Sequence, residues 1–121
     1  MIVLAWSDPA SSTSTSTSQV PLYNDLHLTV EAVGASLYWK GNNFYENIDG
    51  YDNGFSYPYA LGGAPLINDT MNNVEAIFVP PHWFWFGQKI IIRVTGINIH
   101  GPLPNPSQKF SLYGYNVRLG S

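Results

Sequence analysis

Along residues 26–32, LHLTVEA, apolar and polar side chains alternate, with Leu26, Leu28 and Val30 on one face and His27, Thr29 and Glu31 on the other. A period of two predicts a half-buried β-strand whose first set faces the core and whose second, His27 included, faces outward. After Gly34 the run ASLYWK reads as the return arm of a hairpin. Residues 2–6, IVLAW, predict a short apolar strand stopped by SDP, because proline cannot continue a ladder and Asp8 favours a turn. The strongest strand signals are Val74 to Val79 and Lys89 to Gly96, the latter carrying the β-branched run IIIRVT. A last strand is predicted from Lys109 to about Tyr115. No stretch keeps a helical period, so the pattern predicts an all-β, jelly-roll-like β-sandwich spanning 1–121 as one domain.

Two stretches break the pattern. Residues 10–19 contain ASSTSTSTS, a polar low-complexity run that buries no apolar area and reads as a mobile surface loop. Residues 41–70 form a long Gly/Asn/Asp/Tyr-rich excursion without clear period, and loops of that length usually serve a function.

Composition sharpens this picture in three places. Eight Tyr, six Phe and four Trp in 121 residues suit strands, and the length is enough to bury a core without disulfides. Net charge is −3, and Lys40, Lys89, Arg93, Lys109 and Arg118 are scattered, which argues against a nucleic-acid surface. MIVLAW is too short for the apolar part of a secretory signal, and no apolar span reaches membrane-crossing length. The absence of cysteine does not discriminate between compartments.

The strand at 74–79 begins oddly. It opens with Asn72 and Asn73 between Asp69 and Glu75, although Asn and Asp are poor strand formers. A carboxamide carries donors and acceptors, so Asn at a strand mouth can close turn groups that the ladder leaves open. Asp and Asn oxygens are also the ligands of a hard cation, and Asp25, Asp69, Asn72 and Asn73 would converge if strands 26–32 and 74–79 were neighbours. A hydrogen-bonded polar cluster that also takes in Asn24, Asn43 and Glu75 is the favoured reading, and calcium the second. The segment ENIDGYDNG, with Glu46, Asp49, Asp52 and Asn53, follows no recognised metal loop and reads as a solvated turn.

The string from Asp69 through Asn72 and Asn73 to Glu75 resembles the D-x-x-N-N-V-E signature in the C-terminal jelly-roll domain of many subtilisin-like serine proteases. VLAWSDP is similar to that family's L-x-W-[ST]-D-P, YNDLHLTV to V-N-D-L-D-L-x-V, YWKGNNF to Y-x-G-N-x-F, IIIRVTGINI to Y-T-V-x-V-T-G-x-N-V, and GPLPNPSQKFSLYGY to G-P-Q-x-F-A-L-V. The matches run in order from residue 2 to about 115. The resemblance implies a sandwich related to the P domain of the proprotein convertases. It also implies a non-catalytic accessory role beside a protease catalytic domain in the same longer chain, calcium as a structural ion, and an extracellular or secretory location. In that family the domain begins about a strand earlier, which implies an N-terminally truncated portion of something longer.

Two departures bear on the reading. His27 stands where the family has a second aspartate, and histidine is a poor calcium ligand. HWFWF, residues 82–86, replaces a short turn, and Trp83 and Trp85 are assigned to a contact face. The alternative function is therefore a carbohydrate- or surface-binding module that uses this loop and the tyrosines of YENIDGYDNGFSYPY. No catalytic triad is legible: there is no G-x-S-x-G, and His27, His82 and His100 have no nucleophile pattern around them, so the chain is read as not itself an enzyme. Asn68-Asp69-Thr70 fits the glycosylation tripeptide, a pattern common by chance.

Overall fold

Ile2, Leu4 and Trp6 are buried while Val3 and Ala5 between them are half-buried, the alternation of a strand with one face on a core. The computed structural model describes residues 1–8, 22–45, 54–59, 66–80, 87–100, 106–118 and 120. Six strands are seen: β1 Ile2–Trp6, β2 Asp25–Ala32, β3 Leu37–Lys40, β4 Val74–Ile77, β5 Ile90–Asn98 and β6 Phe110–Gly114. They form two antiparallel three-stranded sheets, ordered β4-β1-β6 and β3-β2-β5. Among the described residues there is no helix, and none long and apolar enough to cross a membrane. The protein is all-β, and its two sheets face each other as a sandwich.

The central strands supply most of the core. Ile2, Leu4 and Trp6 of β1 meet Leu26, Leu28, Val30 and Ala32 of β2, with Trp39 and Ile77 completing the cluster. Residues 26–32 follow their period as expected, with one correction. His27 was expected to point outward into solvent, yet it is only 8% exposed. Its strand is central and flanked on both sides, and its Nε2 lies 3.2 Å from Asp25 Oδ2, which satisfies the ring there.

The hairpin between β2 and β3 turns through Gly34 and Ser36, both in the left-handed region at φ 82° and 53°. β5 runs two residues past its predicted end, because a bulge lets Asn98 pair with Asp25 while Gly96 pairs with Leu26.

The described parts of the 41–70 excursion are a ribbon of short pairings, too brief to leave a period in the sequence. Phe44 bridges Ser56, Tyr45 N donates to Phe55 O at 2.8 Å, and Tyr57 N donates to Asn43 O at 3.1 Å. Tyr59 then bridges Tyr38 on β3, while Ser56 N donates to Phe78 O at 2.7 Å and its hydroxyl accepts from Phe78 N at 2.9 Å just beyond β4. The ribbon therefore ties the β3 edge of one sheet to the β4 edge of the other.

On the opposite flank β5 and β6 are the outer strands, and among the described residues they are tied at one end only, where Asn24 bonds both His100, just past β5, and Gln108, just before β6. Phe110 and Leu112 pair laterally with Trp6 and Leu4, so they point to the core side, yet they are 48% and 45% exposed.

Candidate functional site

The asparagines at the mouth of β4 close a turn that the ladder cannot. Asp69 Oδ1 accepts from the backbone N–H of Met71 at 2.9 Å and of Asn72 at 3.0 Å. Its Oδ2 accepts from the side chains of Asn72 at 2.7 Å and Asn42 at 2.6 Å. Burial pushes the Asp69 pKa up, but these four donors outweigh it and leave the carboxyl below its ordinary value. Asn73 donates through Nδ2 to Trp6 O at 2.8 Å, and its own carbonyl accepts from Trp6 N at 3.1 Å, so it extends the β1–β4 pairing past Val74.

A second joint crosses between the sheets where β3 ends. Asn42, in the left-handed region at φ 61°, donates its backbone N–H to Ala76 O at 2.9 Å. Its Oδ1 accepts from Ala76 N at 3.0 Å, and its Nδ2 also reaches Val74 O at 2.9 Å. One residue thus imitates a strand along the open edge of β4. Beside it, Glu75 is 2% exposed and its Oε2 accepts from Leu28 N at 2.5 Å, while Leu28 O accepts from Gly41 N at 2.9 Å. The carboxylate stands where the carbonyl of a longer β3 would have stood. Gly41 is required by this packing, since a Cβ there would lie 2.7 Å from the Cβ of Glu75. Burial pushes the Glu75 pKa up to about 7; the Leu28 amide opposes the rise, and the nearby charges of Asp69 and Asp25 add to it.

Two asparagines are buried hubs. All the polar groups of Asn24 are engaged: its N–H donates to Asp8 Oδ1 at 2.7 Å, and its carbonyl accepts from Trp6 Nε1 at 2.9 Å. Its Nδ2 donates to Gln108 Oε1 and its Oδ1 accepts from His100 N, both at 2.7 Å. Asn43 Nδ2 donates to Gly41 O and Ile67 O, each at 2.9 Å, and its Oδ1 accepts from Ile67 N at 2.8 Å and from the Tyr57 hydroxyl at 3.3 Å. Each hub gathers segments that lie far apart in the chain.

Of the four residues expected to share a cation, Asp69 and Asn72 are in contact, whereas Asn73 is committed to Trp6 and Asp25 to His27. Asp25 Oδ1 is buried and has no hydrogen-bond partner. Burial raises the Asp25 pKa, and the neighbouring His27 counters part of that rise. Among the described residues, no three His, Cys, Asp or Glu side chains group as metal ligands. Asn24, Asn43 and Glu75 are buried and hydrogen-bonded; Asn43 and Glu75 both meet Gly41, whereas Asn24 bonds Asp8, His100 and Gln108.

Several joint residues escaped the sequence reading: Gly41, Asn42, Ser56 and Gln108, and the carboxylate role of Asp8, which binds Tyr23 N at 2.9 Å as well as Asn24 N. Gly41 and Asn42 were signalled by the GNN string after β3, a composition that tolerates the left-handed region, and Asp8 and Gln108 lay in the SDP and SQKF strings, while nothing marked Ser56. Trp83 and Trp85, the Ser/Thr run at 10–19, and Glu46, Asp49, Asp52 and Asn53 lie outside the described residues. No family model, no curated protein and no solved structure matches this chain.

Proposed function

We propose that this chain is a jelly-roll accessory domain of a subtilisin-like serine protease, without catalytic residues of its own, which stabilises or docks the catalytic domain. The observation that carries the docking role is the β5/β6 flank. Phe110 and Leu112 belong by register to the core side, yet stand half open on a strand whose outer edge pairs with no other strand among the described residues. β6 reads FSLYG, with no charge and no proline to discourage pairing along that edge. A second polypeptide surface packed there would bury this flank.

The resemblance is supported at the level of residue roles. Asp69, Asn72, Asn73 and Glu75, Trp6 and Asp8, Asn24, Gly41 and Asn42, which carry the resembling motifs, all do structural work at the joints. Calcium belongs to the same proposal. The atom that fits a cation is the unpartnered Asp25 Oδ1, and an ion there would relieve repulsion among Asp25, Asp69, Asp8 and Glu75.

The test is to recover the coding sequence flanking this chain, express the longer protein and compare amide exchange of residues 110–114 with that of the chain alone. The expected result is a protease catalytic domain upstream and added protection on β6. A flanking sequence with no such domain, or unaltered exchange in β6, removes the proposal.

A further inference from the structure

The outer face of the β3-β2-β5 sheet holds a pocket of about 250 Å³ that none of the joints uses. Its lining includes Thr29 and Glu31 of β2, Ser36 of the hairpin turn, Tyr38 of β3 and Arg93 of β5. The register places them in two rows, Tyr38 beside Glu31 and Arg93 beside Thr29. Tyr59, bridged to β3 on the side away from β2, stacks on Tyr38 with ring centroids 4.7 Å apart and planes 26° from parallel. Its backbone N–H donates to Tyr38 O at 2.8 Å, which holds the stack in place. Tyr59 therefore backs one face of the Tyr38 ring, and the other face is turned toward β2 and the pocket.

Across the pocket, Glu31 Oε2 and Arg93 Nη1 pair at 2.7 Å, both about half exposed. A cross-strand pair of that kind adds little stability on a wet surface. It does, however, hold a carboxylate acceptor and the unused N–H donors of a guanidinium side by side, with the hydroxyls of Thr29 and Ser36 also on the wall.

We infer that this face is a binding site for a neutral sugar ring, stacked on Tyr38 and held by its hydroxyls to Glu31 and Arg93. A pyranose has an apolar C–H face and an equatorial belt of hydroxyls that both donate and accept. An aromatic face attracts the first, through its electron-rich surface. An adjacent acceptor and donor match two neighbouring hydroxyls of the second. The volume suits a single ring, since pockets for drug-sized ligands run from roughly 300 to 1,000 Å³. The site is distinct from the 82–86 aromatic segment and does not depend on the protease proposal.

The experiment titrates the full chain with the methyl glycosides of glucose, galactose and mannose. Binding is read by saturation-transfer NMR on the sugar protons and by amide shifts of the protein. One of the three should bind with millimolar or tighter affinity and move the amides of Thr29, Glu31, Tyr38 and Arg93. Arg93→Gln and Tyr59→Ser, each checked for an unchanged fold by its amide spectrum, should each weaken that binding about tenfold or more. Two results overturn the inference. One is no transfer to any of the three sugars. The other is binding that survives both substitutions but disappears in a Trp83→Ala, Trp85→Ala double variant.

Discussion

Glu75 on β4 and the backbone amide of Leu28 on β2 are joined by a 2.5 Å hydrogen bond that passes from one sheet of the sandwich to the other. The acceptor is a carboxylate buried to 2% exposure, so folding raises its proton affinity from an ordinary value of 4.5 to about 7. The folded protein then binds more protons than the unfolded chain between those two values. The stabilisation is complete below about pH 4.5, is lost as pH rises toward 7, and amounts to something on the order of 3 kcal/mol. Urea unfolding at pH 5, 6, 7 and 8 checks the slope. Glu75→Gln, which keeps an acceptor for Leu28 N, should flatten it. A wild-type curve already flat across that window would contradict this account.

Gly41 lies against the same carboxylate. In Gly41→Ala the new methyl would meet Glu75 Cβ at 2.7 Å, and the collision should cost about 1 to 3 kcal/mol, as overpacking in a tight core does. Thermal melting checks it. Glu75→Ala in the same background removes the carboxylate atoms Oε2 and Cδ, which also collide, but keeps Cβ, so the clash is relieved in part and the two losses should fall short of their sum.

The asparagines should separate by burial. Asn43 is buried and makes four side-chain hydrogen bonds, so Asn43→Ala strands several partners and should cost about 3 kcal/mol. Asn73 is exposed and water can reach its site, so Asn73→Ala should cost about 1 kcal/mol, even though Trp6 O loses a donor. Denaturant midpoints for the two variants give the ranking directly, and equal losses would refute it.

Leu4 and Leu112 are register partners in one sheet with opposite fates. Leu4 is fully buried, and Leu4→Ala should cost about 2 to 5 kcal/mol. Leu112 is 45% exposed, and Leu112→Ala should cost less than half as much in this chain. A loss at Leu112 equal to that at Leu4 would mean the β6 flank is covered in solution.

Much of the fold was legible in the sequence because strand alternation is local. IVLAW, LHLTVEA and the hairpin through Gly34 each carry their period and turn chemistry within a few adjacent residues, and each appears close to where it was expected. The odd composition before Val74 also announced a polar joint, because Asn and Asp at a strand mouth need a reason. The identity of the partners was not legible. Asn42 serves the edge of β4, 34 residues away, Glu75 serves Leu28 across 47, and Asn24 meets Gln108 across 84. Those contacts exist only once two sheets have stacked.

Exposure divides the same way. Alternation states which side of a strand is apolar, and so it placed Leu26, Leu28 and Val30 in the core. It cannot state what lies opposite that side. Tertiary structure decided that His27, on the polar face, is enclosed, and that Phe110 and Leu112, on the core side, stand half open at the flank. The physical reason is that a side chain's direction follows from its own backbone, whereas its burial depends on chain segments distant in sequence.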